Sequence, residues 1–395
     1  MIITIFEDQG NKSLYPINQL RASFELRCGA FTNLERIQQS LNSHDEIQFL
    51  VRDEIKNIVQ ERYPHISVNP ELFSPGVWLN GQALWIEDTI QKAISSNTLT
   101  NKGRILSIHS DEVVSISDAY SFMKKASAVS MEIEIPIIKN IWDSIFMQDK
   151  IIQADAKNCM NYHTSKVHPS VVLENGDEII IGENSEIRAG VILDASAGPI
   201  IIADHVYVDI GALIQGPVFI GSSCIINPGA KLRKNITLGP MCKVGGEVEG
   251  VIFQGYGNKQ HDGYIGHSYI GEWVNLGANT NNSDLKNNYS TISIQIGKDK
   301  IDTGHLFLGS IISDYVRTGI STMLNTGTVI GLGANVFGEG FQPKYIPPFQ
   351  WGNDKKTDLD KLFATINILK KRRGKSLSES EKLLISQIYT DLGQF

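Results

Sequence analysis

From Ile202 onward an aliphatic residue recurs at every sixth position: Ile202, Val208, Ile214, Ile220, Ile226, Leu232, Leu238 and Val244. The residue four places after each is also short or apolar: Val206, Ala212, Val218, Cys224, Ala230, Ile236, Cys242 and Val248. A helix with its 3.6-residue turn would scatter this pattern around its surface. Six residues suit one short strand and a corner, with the recurring aliphatic pointing into a narrow prism. Three such strands, roughly 18 residues, close one coil, so the stretch 156–346 predicts about eight or nine coils. Each inward aliphatic contributes ~1.5–3 kcal/mol when fully buried, which spreads stability along the axis, coil upon coil.

The period is ragged at Ile181, Ile187 and Leu193 and is displaced by three residues near Ala197–Pro199. It is lost between Glu249 and Gly263, then resumes unevenly through Ile265, Ile270 and Leu276 and again at Leu324, Ile330 and Val336. A regular stack gives no structural reason for an inserted loop, so Glu249–Gly263 is the predicted seat of chemistry. Before the repeat, residues 1–155 read as an α/β domain. Strands are predicted at Ile2–Phe6, Ile47–Val51 and Gly103–His109, with helices at Phe31–Leu41 and Asp88–Ser96. Residues 156–166 are a linker or a first coil. After Pro347-Pro348 a helical tail, 347–395, is predicted, with helices at Lys356–Arg373 and Ser380–Leu392 separated by Gly374. Ser378 and Glu381 have capping-box spacing.

Composition narrows the partners. The formal net charge of -7 argues against nucleic acid as a ligand, and 42% hydrophobic residues fill ordinary cores. No apolar stretch approaches the ~20 residues of a membrane span, and the first residues, MIITIFEDQG, lack a basic region followed by an apolar run. The expectation is a cytoplasmic protein with no membrane partner. Cys28, Cys159, Cys224 and Cys242 are too widely spaced for a zinc or disulfide framework, and Cys224 and Cys242 fall on inward positions as buried thiols.

The interrupted segment carries Lys259 and His261 and is followed by Tyr264. Downstream, Asn275–Tyr289 is dense in amides, which supply donors and acceptors without fixed charge, as a sugar ligand requires. By residue type alone, His261 also suits an ordinary surface loop. The run His261-Asp-Gly-Tyr-Ile-Gly-His-Ser-Tyr-Ile-Gly-Glu-Trp-Val-Asn-Leu-Gly-Ala-Asn-Thr280 resembles the acetyltransferase signature of bifunctional N-acetylglucosamine-1-phosphate uridyltransferases. The chain is most similar to the alternate bacterial type of that family. The similarity rests on Gly-Tyr-Gly-Asn-Lys-Gln-His-Asp-Gly (255–263), Gly-Glu-Trp-Val-Asn-Leu-Gly-Ala (271–278), Asn-Asn-Ser-Asp-Leu-Lys-Asn-Asn-Tyr (281–289) and Asn-Thr-Gly-Thr-Val-Ile-Gly (325–331). N-terminal Phe-Glu-Asp, Leu-Tyr-Pro and Leu-Arg-Cys-Gly elements also fit.

The resemblance implies a nucleotidyltransferase-like α/β domain, a left-handed parallel β-helix and a short helical tail. It implies acetyl-CoA-dependent acetylation of glucosamine 1-phosphate, then uridylyl transfer from UTP to give UDP-N-acetylglucosamine. By that similarity His261 is the general base, since an ammonium cannot attack a thioester until it loses a proton. Tyr264 and Asn275 hold the sugar and phosphate, Arg233 pairs with the phosphate, and Asn288 and Tyr289 match an Asn-Tyr pair displaced by a longer loop. Two family lysines are absent: Gly-Val-Ile follows Val248-Glu249, and Ile294 stands five residues beyond Tyr289. Lys259 is the replacement on offer.

Acetyl-CoA is expected in a groove between subunits of a homotrimer, lined by Ser310, Gly327 and Thr328, with Lys371, Arg372 and Arg373 meeting its phosphates. The run Lys370–Arg373 also reads as a solvated helix end. The N-terminal domain lacks the family's Gly-rich loop. In its place stand Phe6-Glu-Asp8, Leu20-Arg21 and Glu25-Leu-Arg27-Cys-Gly29, with Arg21 and Arg27 for nucleotide phosphates and Asp8 for Mg2+. An ion-pair network at a strand–helix corner fits those residues equally. Two other functions remain open: a nucleotide-sugar sensor or scaffold that has lost chemistry, and a zinc hydratase of the γ-carbonic-anhydrase sort. The spacing of His261 and His267 does not match the latter, and His267 follows a glycine at an ordinary corner.

Overall fold

The computed structural model describes residues 1–126, 130–159 and 165–391. Leu392, the end of the second predicted tail helix, and part of the 156–166 segment lie outside the described residues. The chain forms two compact units. The first comprises Met1–Leu26, Phe31–Asn140 and Ser378–Ile385; the second comprises Arg27–Ala30, Ile141–Leu377 and the residues from Ser386. Among the described residues no helix is long and apolar enough to cross a membrane.

The first unit is built on a seven-stranded sheet. Ile2–Phe6 pairs in parallel with both Glu46–Leu50 and Gly76–Asn80, while Arg104–Ser110 runs antiparallel to Gly76–Asn80. A strand flanked by parallel neighbours is covered on both faces, which is why Ile3, Ile5 and Phe6 are all buried and even Thr4 is enclosed. The predicted helix at Phe31–Leu41 is shorter than its apolar spacing suggests. Thr32 caps it, accepting from Glu35 N while the Glu35 carboxylate accepts from Thr32 N, so the helix starts at Asn33 and ends at Gln39.

The second unit is a left-handed parallel β-helix. Its aliphatic repeat visits three faces in rotation. Ile202, Ile220 and Leu238 stack in register on one face, Val208, Ile226 and Val244 on the next, and Ile214 and Leu232 on the third. These side chains form one continuous buried core. The longest face has nine strands, from Ile179–Ile181 to Tyr345–Ile346. Helix Leu359–Lys371, capped by Asp358, belongs to the same unit, and Lys370 Nζ lies 5.7 Å from the Trp273 ring.

The expected loop at Glu249–Gly263 is instead a regular coil. Glu247–Glu249, Ile252–Phe253, Asn258–Lys259 and Tyr264–Gly266 occupy the three faces in turn. The repeat vanishes from the sequence for two reasons. Two successive corners are short, Val248 following Val244 after four residues instead of six and Phe253 following Val248 after five with a turn at Gly250 (φ 63°), and Lys259 occupies an inward position opposite Val244. The true excursion lies further on. The chain leaves the coil after Asn282, makes the antiparallel hairpin Ser293–Ile296/Asp299–Asp302, and returns at Ser310.

Replacing Ile220, fully buried between Ile202 and Leu238, by alanine is expected to cost about 2–5 kcal/mol, read as the shift of the β-helix transition in urea. Ile210→Ala, at an exposed corner, is expected to stay within about 0.5 kcal/mol.

Candidate functional site

One outward row on the third face runs Val172, Ile192, Leu213, Lys231, Glu247, Tyr264, each opposite the next in the ladder. Asn281 follows, its Oδ1 accepting from Tyr264 N at 2.8 Å, and is paired in turn with Met323. The row is apolar and exposed at both ends and polar in the middle. A polar section inside an exposed apolar stripe marks a place where a ligand is met rather than only a partner surface.

Beside Tyr264 lies a second line of side chains: Arg233, Glu249 and, one coil further, His267 and Asp284. Asp284 Oδ2 is 2.8 Å from His267 Nδ1 and accepts from Tyr264 OH at 2.9 Å. Burial opposes the charge on Asp284, but the hydrogen bonds from His267 and Tyr264 outweigh it and hold the carboxyl below its ordinary value. Burial, then the charge of Asp284, pushes the Tyr264 phenol above its ordinary value, so it stays a donor. The backbone beneath is fixed by the inward Asn282, whose Oδ1 accepts from Gly266 N at 2.7 Å and whose Nδ2 donates to Gly266 O at 2.9 Å. The rings of Phe307 and Phe146 stand 5.3 Å and 6.4 Å from that of His267, and His305 stacks on Phe146 at 3.8 Å.

His261 sits at the opposite end of strand Tyr264–Gly266. It is exposed, and among the described residues its imidazole has no hydrogen-bond or ionic partner. Its backbone is held from inside: Lys259, 2% exposed, donates from Nζ to His261 O at 2.5 Å. Burial lowers the Lys259 ammonium to about 8, partly opposed by Asp262. Lys259 therefore faces the prism and supports the His261 turn from within. Arg233 Nη1 is shared between Glu247 at 3.2 Å and Glu249 at 2.9 Å.

Other residues singled out by the resemblance are dispersed. Asn275 lies on a different face, bridged to Asn258 and Arg317. Asn288 and Tyr289 are exposed in the excursion, where Asn288 Oδ1 accepts from Ser290. Ser310 and Thr328 are buried partners across adjacent strands and Gly327 packs against Ile292 and Ser293, so these three are not exposed along an open groove. The face of Asn275 gathers cations instead. Lys243 and Arg317 share its outward row, and burial together with Arg373 and Arg372 lowers the Lys243 ammonium. Arg317 Nη2 is buried with no hydrogen-bond partner among the described residues. Lys243 and Arg317 escaped sequence reading because only the ladder brings them beside the basic run.

In the first unit, Asp8 leaves the sheet at the end of strand Ile2–Phe6, where open α/β sheets collect ligand groups. Its Oδ1 accepts from Gly10 N, and its Oδ2 receives Arg104 Nε at 2.5 Å and Asn80 Nδ2 at 3.0 Å. Burial raises the Asp8 carboxyl, but these donors prevail and lower it. Beside it the buried Glu7 pairs with Arg52 at 2.6 Å and accepts from Ser23 N. Arg21 is 2% exposed and donates to Ile17 O, so it braces the chain rather than facing solvent. Arg27 belongs to the second unit. It is buried, donates from Nη1 to Ala30 O, and its backbone N meets Gln254 and Tyr269 on the β-helix. Sequence spacing pointed to Arg21 and Arg27; the arginine beside Asp8 is Arg104, ninety-six residues away and brought in by the sheet. Among the described residues no group of three His, Cys, Asp or Glu side chains converges as a metal site.

Residues 3–164 match the family model described as sugar nucleotidyl transferase. The chain is 34% identical over 143 residues to a bifunctional sugar-1-phosphate nucleotidylyltransferase/acetyltransferase of Sulfurisphaera tokodaii, covering 35% of each chain. It is 33% identical over 114 residues to the bifunctional protein GlmU of Methanococcus aeolicus, covering 28% of this chain and 26% of that one. The matched stretches thus span about a third of the length of these relatives. A solved structure of AntD, an N-acyltransferase from Bacillus cereus in complex with dTDP and 3-hydroxybutyryl-CoA, aligns over 53% of this chain and 89% of that one, with 12% identity and a TM-score of 0.17.

Lys259 gives a pH test. Its folded value is about 8 against an ordinary 10.5, so above pH 8 the unfolded chain binds more protons and the lysine's penalty on stability fades as pH rises towards 10.5. The stability difference between Lys259→Met and the parent is therefore expected to shift in favour of the parent between pH 8 and 10.5. Urea unfolding of both proteins at several pH values measures it.

Proposed function

We propose that the chain is a two-part enzyme of sugar-nucleotide synthesis. The β-helix unit transfers acetyl from acetyl-CoA to the amine of glucosamine 1-phosphate. The sheet unit transfers uridylyl from UTP to N-acetylglucosamine 1-phosphate, giving UDP-N-acetylglucosamine and pyrophosphate. The observation that carries this reading is the polar section of the third face, where Tyr264 is joined to Asn281 and Asp284 on the strand that His261 precedes. It supplies a phenol and an amide as neutral hydrogen-bonding groups for sugar hydroxyls, a carboxylate beside them, and an exposed imidazole on the same segment.

His261 serves as the base that relieves the attacking nitrogen of a proton, and Lys259 is a positioning residue that fixes its backbone. The tetrahedral intermediate is an oxyanion and needs an N–H donor from a neighbouring coil. Arg233 reaches the sugar phosphate through Nε and Nη2, which have no partner among the described residues, while Nη1 stays with its two glutamates. Lys243, Arg317 and the run Lys371–Arg373 form the cationic place for the phosphates of acetyl-CoA. The apolar ends of the third face, Val172–Ile192–Leu213 and Met323, suit burial against further copies of the chain, hence a homotrimer. The substrates and the free thiols suit the cytoplasm.

In the sheet unit Arg104 is the guanidinium for nucleotide phosphates, 20% exposed and held ready by Asp8. Asp8 does not fit a protein-held Mg2+, because both of its oxygens already have donors, one of them a cation. A second reading, a nucleotide-sugar binding protein without turnover, is favoured by the glutamate-bound Arg233 and the two missing lysines.

The two half-reactions are expected to proceed separately: CoA release with glucosamine 1-phosphate, and pyrophosphate release with UTP and N-acetylglucosamine 1-phosphate. His261→Ala should lower CoA release about 100-fold or more and leave pyrophosphate release intact. An unchanged rate removes His261 from the chemistry, and UDP-sugar binding in a calorimeter with neither release establishes the binding-protein reading. Arg104→Gln should raise the KM for UTP roughly tenfold, the loss of one charge-assisted contact, without touching CoA release. An unaltered KM and kcat would exclude Arg104 as a phosphate ligand.

A further inference from the structure

Strand Tyr264–Gly266 has a histidine near each end, and the one that the signature spacing does not mark is the one wired for proton transfer. His267 Nδ1 faces Asp284 Oδ2 at 2.8 Å, and that carboxylate is itself oriented by Tyr264 OH at 2.9 Å. In the neutral ring, Nδ1–H donated to the carboxylate leaves the lone pair on the other nitrogen. His267 Nε2 has no hydrogen-bond partner among the described residues, and the side chain is 22% exposed, so the lone pair is reachable. A base held by a third group is the arrangement that general-base catalysis requires.

The surroundings are shaped for this pair. A Cβ on Gly266 would lie 2.3 Å from Asp284 Oδ2 and 2.4 Å from Tyr264 OH, so any side chain there would break both bonds. A Cβ on Gly250 would lie 2.9 Å from His267 Cδ2. His267 itself stands at φ 40°, a backbone region that costs a branched or ring-bearing residue free energy. Phe307 and Phe146 flank its ring. The His261 imidazole, by contrast, is exposed and has no hydrogen-bond or ionic partner among the described residues.

The chemistry has work for two such groups. The substrate nitrogen enters as an ammonium with three protons and leaves as an amide with one. Of the two protons shed, one ends on the sulfur of CoA and one in solvent. We propose that the His267–Asp284 pair is a second acid/base of acetyl transfer, meeting the substrate nitrogen at the end of strand Tyr264–Gly266 where Tyr264 OH and Asp284 converge. His267 Nε2 takes the proton that the ammonium must lose before attack and passes it to solvent at its exposed edge. The free amine then forms the C–N bond to the thioester carbonyl. As the C–S bond breaks, His261 moves the second proton from nitrogen to the departing thiolate. His267 is the catalytic residue and Asp284 its positioning residue. The inference rests on the acetyl-transfer reading above.

The test pairs kinetics with a readout that needs no turnover. His267→Gly is expected to lower kcat for CoA release about 100-fold with little change in KM, and added imidazole to restore at least part of it. Asp284→Asn should lower kcat in the same direction, with thermal melting of both variants matched to the parent. Full kcat in His267→Gly, or a loss that imidazole does not touch, would overturn the proposal. Separately, 15N-histidine NMR of the parent should show His267 protonated at Nδ1 and bare at Nε2, with the Nε2 resonance moving on addition of glucosamine 1-phosphate. If the parent releases no CoA, the acetyl-transfer reading fails, and the second-base proposal fails with it; the NMR arm then reports only whether His267 meets the amino sugar. An active parent whose His267 resonances ignore the sugar overturns the second base alone.

Discussion

Everything in the second unit depends on one contact, the stacking of an inward side chain on the inward side chain one coil below. Each rung buries its apolar surface only because its neighbours exist, so the continuous core is a column of nearest-neighbour contacts. The parallel ladder sets the coil spacing and leaves no freedom of register. That rigidity is what allows two rows of outward side chains, from different coils, to be aligned well enough for chemistry.

The column also explains where polarity is tolerated inside. Lys259 and Asn282 occupy inward positions, and both are satisfied by the backbone of the turn beside them. A buried polar group without partners would destabilise the stack by roughly 1–3 kcal/mol. Here each instead ties the interior to the outward site, Lys259 to the His261 turn and Asn282 to Gly266 below the His267–Asp284–Tyr264 group. The two polar rungs lie in successive coils, Lys259 on the second face and Asn282 on the third.

The architecture was legible in the sequence because six-residue spacing has few physical interpretations. Where inward positions remained aliphatic, Ile202 to Val244, the reading and the ladder agree residue by residue. It failed where the inward residue changed type. Lys259 does not look like a core residue, and two short corners, before and after Val248, shift the frame, so a coil read as a loop. The site was legible only in part for a related reason. Spacing marks residues adjacent in sequence, such as His261 and Tyr264, whereas Asp284 reaches His267 across a coil and Arg104 reaches Asp8 across a sheet. Arg21 and Arg27 drew attention as arginines near Asp8 in sequence, but burial assigns both to bracing the chain.

The excursion between Asn282 and Ser310 leaves the stack from one rung and re-enters it at the next, so its length and content are invisible to the column. It nevertheless supplies Asp284, His305 and Phe307, one carboxylate and part of one wall of the site. Scaffold and specificity are thereby uncoupled in descent. The rungs can stay unchanged under selection for stability while this single segment is lengthened, trimmed or exchanged, and the range of amines and acyl groups admitted can drift without the fold being put at risk.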